Sequence, residues 1–436
     1  MALAAIAASA AIPMATFADT DGTVTINGVT WKYTDRDDTA KTVTIGTSGT
    51  MAYNSFTTAI PTGTQINAAN IPWTMEIDGE TYTVTKVGKY AFANCTKLTG
   101  ALAIPSTVTS IGERSFWHTG LTAISSLGGV ITLGPYAFYN ISSLQGDFPD
   151  LLNVTSFSQG PFLTCTTLEG GVVLNPTLTS IPTRCFENSG LTKITIPRTV
   201  TSISESAFKQ TKLTAFMLRG PADVTSGSQT YATLNTQNAF PGCDRLKVLL
   251  FGKNTKGNSS NLNSGNMLTD VTGCTVFVPT TGWNGLVTGG ENNEVIYYGS
   301  GRDIDIEMDD DSKTITATPT TVYTLTNVLN AAVTLKSEYG WNTRISVTNA
   351  IDLTGVTITD NMVKDATFDR LMFSAKTQAQ LTSILETFPA TTPISIDPTG
   401  LTENMVILND YPNVFVKTVP GVTIKRTAKG FMIIVK

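Results

Sequence analysis

Between Val84 and Phe240 the chain writes one short phrase again and again. "VTKVGKYAF" begins at Val84, "VTSIGERSF" at Val108, "VITLGPYAF" at Val130, "LTSIPTRCF" at Leu178 and "VTSISESAF" at Val200. Aligned on the phrase, branched apolar residues fall at Val84, Val108, Val130, Val154, Leu178, Val200 and Val224. Phe92, Phe116, Phe138, Phe162, Phe186 and Phe208 follow at intervals of 22 or 24 residues, and Phe240 is delayed by an inserted "GSQTYATL". A unit this short cannot bury its apolar face alone, so neighbours must stack and the recurring side chains become ladders inside an elongated array.

A leucine comes next in every unit, at Leu98, Leu121, Leu144, Leu168, Leu191, Leu213 and Leu246, and the best copies then alternate, as in "LTKITIP" and "LTAFMLRG". Alternation predicts a short strand with one buried face. Each unit is therefore one strand followed by a return of turns and a short helical piece. In "VTSIGERSF", Val108, Ile111 and Phe116 are the expected rungs, Gly112 the residue that permits the turn, and Glu113 and Arg114 solvated positions. Roughly one residue in six is Thr, which suits strands better than helices.

The full phrase resembles the repeat of the BspA-like leucine-rich-repeat surface proteins, L-T-x-I-x-I-P-x-x-V-T-x-I-G-x-x-A-F-x-x-C. "LTKITIPRTVTSISESAF", from Leu191 to Phe208, is nearly a complete unit of it. The resemblance implies a leucine-rich-repeat solenoid and a secreted or cell-surface protein that adheres to host or microbial surfaces. The cysteines keep the same register. Cys95, Cys165 and Cys243 stand three residues after a repeat phenylalanine and Cys185 stands before Phe186. They are expected to be buried rungs, and an odd total of five with no C-x-x-C argues against both a disulfide framework and a metal site.

The flanks differ from the array. Residues 1–18, apolar and alanine-rich, read as a signal peptide. Residues 19–83 read as a β-rich N-terminal cap, with a D-G turn at Asp78 and Gly79. The array proper is expected at 84–299, closing with "CTVFVPTTGW". Residues 300–436 read as a separate α+β domain of unknown role. In it "DIDIEMD" alternates as a half-buried strand with Asp303, Asp305 and Glu307 outward, "DDSK" turns it into "TITATP", and Leu381, Ile384, Leu385 and Phe388 share a helical face ended by Pro389.

Composition excludes several classes of function. Net charge is -5 with no basic cluster, so nucleic acid is not an expected partner. His118 is the single histidine, which removes every two-histidine mechanism, and it sits beside a turn glycine as a loop residue would. Glu113, Asp147, Glu169, Glu187 and Glu205 occupy unrelated repeat positions, so the paired carboxylates of a secreted hydrolase are not expected. No enzymatic activity, cofactor, metal or membrane span of the mature chain is predicted.

Binding is then the leading expectation, with a structural spacer of the envelope as the alternative. The outward row of the repeat strands reads Ala103, Ser125, Pro149, Val173, Thr195, Met217 and Leu250, flanked by Ala101, Ala123, Asp147, Lys193, Ala215 and Val248. It is small and polar early, then apolar late, and exposed apolar stripes mark contacts. Val173, Lys193, Thr195, Met217, Val248 and Leu250 are the candidate ligand-binding residues, for a surface protein or glycan of host or microbe. Either an external ligand or the C-terminal domain folded back on the array could cover the late stripe.

Overall fold

Two dipeptides set the first hairpins. Asn27 and Gly28 take φ of 51° and 78°, and Asp78 and Gly79 take 55° and 79°. Successive left-handed residues make the two-residue turn whose twist matches that of the strands it joins. The hairpins Gly22–Ile26 with Val29–Asp37 and Thr74–Ile77 with Glu80–Val87 result. The structure, a computed structural model, describes residues 21–48, 55–224, 227–235, 238–258, 266–286, 288–347, 350–353, 363, 365–374, 377–388, 394–397, 405–409, 414–416, 423–428 and 431–435. Residues 1–18, read above as a signal peptide, lie outside the described residues. The chain divides into two units, residues 1–144 and 145–436.

In the first unit, Thr42–Ile45 runs antiparallel to Val29–Asp37 and parallel to Glu80–Val87. Ser110–Ile111 and Thr132–Leu133 then extend the sheet in parallel. A second parallel sheet holds Ile66–Asn67, Leu98–Ala103 and Gly120–Ser126. Phe92, Phe116 and Phe138 are fully buried and stack at centroid spacings of 5.1 and 5.3 Å. Repetition dictates this: equivalent side chains are carried one above another by strands about 4.8 Å apart. Trp31 closes the ladder at one end, edge-on to Phe92 at 6.3 Å.

The same ladder form recurs in the second unit, where Phe162, Phe186, Phe208 and Phe240 stack at 6.1, 6.1 and 5.7 Å with rings 5°, 6° and 9° from parallel. One row of parallel strands comprises Gly146–Asp147, Leu168–Val173 and Gly190–Thr195, and a second comprises Ala215–Leu218, Val248–Phe251, Thr275–Pro279 and Glu294–Tyr298. The opposite edge carries Ser180–Ile181, Ser202–Ile203, Ala232–Leu234 and Thr255–Gly257. All five cysteines are buried and free. At the position of Cys95 and Cys243 other units place Ser189 and Thr211, whose hydroxyls donate to the carbonyls of Phe186 and Phe208 at 2.7 and 2.8 Å.

The turns depart from the expectation for "VTSIGERSF". The left-handed residue is Arg114, φ 49°, while Gly112 is not in that region. Gly112 is small for a different reason: a Cβ there would stand 2.7 Å from the Lys89 nitrogen and 2.8 Å from the Gly88 carbonyl carbon. Units place a second left-handed residue two positions after the phenylalanine, at Asn94, His118, Asn140, Thr164, Asn188 and Gln210. Side chains there strain the backbone, and the cost is offset by hydrogen bonds to the next unit. Arg114 N–H donates to Pro135 O at 2.9 Å, His118 N–H to Tyr139 O at 3.0 Å and Asn188 N–H to Lys209 O at 2.8 Å. Nor are Glu113 and Arg114 simply solvated, since Arg114 pairs with Glu113 at 2.6 Å and lies 4.7 Å from the Tyr136 ring centroid. The inserted segment is a second correction. Val224 is 45% exposed, and the short strand of that unit is Ala232–Leu234, paired with Ser202 and Ile203.

Beyond Tyr298, Ile304–Asp309 and Thr314–Pro319 form the expected hairpin, with Asp303, Asp305 and Glu307 outward. Thr321 then caps helix α1, Val322–Tyr339, which ends on left-handed Gly340. Asn342–Ser346, Ala366–Ser374, Ile394–Asp397 and Val414–Val416 add in parallel to Thr314–Pro319. Helix α2, Gln378–Thr387, starts from a capping box of Thr377 and Gln380 and buries Leu381 and Leu385, with Phe388 buried just after it.

Candidate functional site

Strand burial changes along the second unit, and this change locates the accessible surface. Leu168–Val173 alternates buried and exposed toward its end, as the sequence pattern requires, whereas Ala215–Leu218 and Val248–Phe251 are buried at every position. One hydrophobic cluster explains the difference. It joins Ala215, Met217, Val248, Leu250, Phe277 and Ile296 of the array to Ile304, Ile315, Leu325, Leu329, Leu335 and Trp341 of the region after it.

Of the six candidate residues, Met217, Val248 and Leu250 are therefore not on an open face. They are 5%, 3% and 1% exposed because α1 and the Ile304–Pro319 hairpin pack against them. Met217, Val248 and Leu250 are one side of a core whose other side begins at Ile304. Val173, Lys193 and Thr195 stay accessible: Val173 is 52% exposed, and the other two are half-buried. Parallel pairing brings Val173 beside Thr195 and Gly171 beside Lys193. A Cβ at Gly171 would approach that of Lys193 to 3.3 Å, so glycine leaves room for the lysine stem.

Sequence reading missed the residues that border this surface. Tyr339 and Trp341, at the end of α1, roof a cavity of about 120 Å³ whose walls include Thr195, Ile196, Arg219, Asp310 and Lys313. Tyr339 Oη donates to the Ala215 carbonyl at 3.1 Å, and burial raises its pKa above the ordinary tyrosine value. Asp310 sits between two arginines, pairing with Nε of Arg198 and a terminal nitrogen of Arg219. Those guanidinium groups also donate to the carbonyls of Gly220 and Ile196 at 3.0 and 2.8 Å. The signal for α1 was present in the spacing of Leu325, Val328, Leu329, Ala332 and Leu335 and in Gly340, but valines and threonines within the helix mask it as strand.

The acids of the array are not all at unrelated positions: Asp147 and Glu169 pair in register on adjacent parallel strands, and both are exposed. Glu113 pairs with Arg114, and Glu187 with Arg184 and Lys209. His118 Nδ1 lies 3.1 Å from Asn94 Oδ1, its counterpart one unit earlier. Burial pushes the thiols of Cys95 and Cys274 up to about 12 and that of Cys243 to about 11, which leaves them protonated. No group of three His, Cys, Asp or Glu side chains among the described residues could hold a metal. No helix there is long and apolar enough to cross a membrane.

Residues 85–215 and 155–274 match the BspA type leucine rich repeat region, in 6 copies. No curated protein matches the chain. Among solved structures it is similar to a leucine rich cell surface protein from Faecalibacterium prausnitzii A2-165, at 19% identity over 65% of this chain and 96% of that one, with a TM-score of 0.39. It is also similar to a leucine-rich repeat protein from Bacteroides ovatus ATCC 8483, at 15% identity over 93% and 100% of the two chains, with a TM-score of 0.31. The register of the phenylalanine ladder and the repeat match agree: residues 85–274 are a BspA-type leucine-rich-repeat array.

Proposed function

We propose that the protein is a secreted or cell-surface recognition protein, binding a surface protein or glycan through the accessible strand face at Val173, Lys193 and Thr195. The observation that carries this is Val173: a large apolar side chain, 52% exposed, in a parallel sheet separate from the later row of strands that the chain itself covers. A spacer would require no apolar group there, and apolar surface left open on a repeat sheet suits contact with a partner. Surface association is typical of the family, and solenoid sheets commonly serve as binding surfaces.

A spacer role has its own support in the first unit, where the equivalent strand positions are Ala101, Ala103 and Ser125, small and exposed. The two readings separate in one experiment. The purified chain is screened against matrix proteins and glycans beside a Val173→Asp variant. A ligand whose affinity falls by about tenfold or more in the variant, as for a residue central to an interface, supports recognition. Ligands that bind both forms equally, or none at all, would remove this face.

A further inference from the structure

The cavity under Tyr339 and Trp341 adjoins the accessible face through Thr195, which belongs to both. Its charges are arranged unequally. The Asp310 carboxylate is consumed by Arg198 and Arg219, so that group of three carries one surplus positive charge. Lys313 lines the cavity and Lys193 Nζ stands 5.9 Å from the Tyr339 ring centroid. Among the described residues neither lysine has an ion-pair partner, although the chain as a whole is acidic at -5. The nearby Asp309 carboxylate is turned away from the task, accepting from the Asp311 N–H at 2.9 Å and the Ser312 hydroxyl at 2.8 Å.

Lys313, an arginine with its surplus charge and two aromatic rings line a space too small for a whole drug-sized ligand, which needs roughly 300 Å³ or more, and Lys193 stands beside it against the Tyr339 ring. We infer that this cavity receives the carboxylate-bearing terminal or branch sugar of an acidic glycan, the remainder of which lies on the Val173–Thr195 face. Lys313 and Lys193 supply the charge that the carboxylate requires. Tyr339 and Trp341 supply an apolar wall for the ring carbons, and the Thr195 hydroxyl offers a hydrogen bond. The inference rests on the recognition reading above and names its ligand class.

The test uses the full chain with a uronic-acid oligosaccharide, the same oligosaccharide with its carboxyls reduced to alcohols, a sulfated neutral oligosaccharide and an oligoglutamate peptide, each titrated by calorimetry. The uronic-acid oligosaccharide is expected to bind, the reduced form to bind about tenfold more weakly or not at all, and affinity to fall with added salt. Lys313→Asn keeps a residue type that tolerates the left-handed backbone at this position, φ 48°, and together with Lys193→Ala should cost a further loss of about tenfold without lowering the melting temperature. Equal binding of the reduced oligosaccharide, or affinity unchanged in the double variant, overturns the inference. So does preference for the sulfated oligosaccharide or for oligoglutamate, which would assign the cations to another anion. A ligand sensitive to Val173→Asp but indifferent to Lys313 and Lys193 would leave recognition standing and remove only the acidic-sugar cavity.

Discussion

Single residues in this array are chosen by what the neighbouring unit does. Gly112 is the plainest case. Its φ is ordinary, yet an added methyl would meet the backbone of Lys89 and Gly88 at under 3 Å. Gly112→Ala should therefore cost about 1–3 kcal/mol, as overpacking does, seen as a lower urea midpoint. Buried thiols follow the same logic. Folded Cys95, Cys243 and Cys274 hold their protons up to about 12, 11 and 12, whereas an unfolded thiol loses its proton near pH 8.5. Above that pH the unfolded state binds fewer protons than the folded one, so stability present at neutral pH falls progressively from about pH 8.5 to 11. Urea titrations at pH 7.5 and 10 check the sign, and native protein should resist alkylation of all five cysteines until it unfolds.

Helix α1 is the element on which most else depends. Its apolar side, Leu325, Val328, Leu329 and Leu335, lies against the sheet containing Met217 and Leu250. Leu250→Asp should place a carboxylate in this core and cost more than about 3 kcal/mol. A loss of binding in such a variant would report unfolding, not a ligand contact, and circular dichroism melting distinguishes the two. The Asp310 link between the hairpin and the array is weaker, because Arg198, Arg219 and Asp310 side chains remain 31%, 18% and 29% exposed. Asp310→Asn is expected to cost about 1–2 kcal/mol, below the loss for a fully buried pair. Hydrogen exchange should quicken first in Ala215–Leu218 and α1.

Across the molecule, the second unit is stabilised by a core that crosses from the array to the residues after Tyr298. Ending the chain at residue 299 would expose Ala215, Met217, Val248, Leu250, Phe277 and Ile296 together. The truncated protein should bind a hydrophobic dye and self-associate, which light scattering would detect; a monomeric, dye-negative truncation would contradict the shared core. The ladders, the buried cysteines, the D-G turn and the Ile304–Pro319 hairpin were all readable from residues a few places apart, because stacking and alternation repeat a local pattern. His118 was likewise legible as a turn residue. What local pattern could not convey was the fate of the outward face. Val173 and Met217 occupy equivalent strand positions and are equally apolar, yet one faces solvent and the other is covered by a helix whose Tyr339 lies 124 residues beyond the carbonyl it bonds. Sequence by itself determined the repeat, its period and, outside the unit interrupted at Val224, which residues point inward, since these follow from the geometry of one unit. Only the tertiary structure decided which outward residues remain a surface, since covering a face depends on where a distant segment packs, and burial is a property of both partners at once.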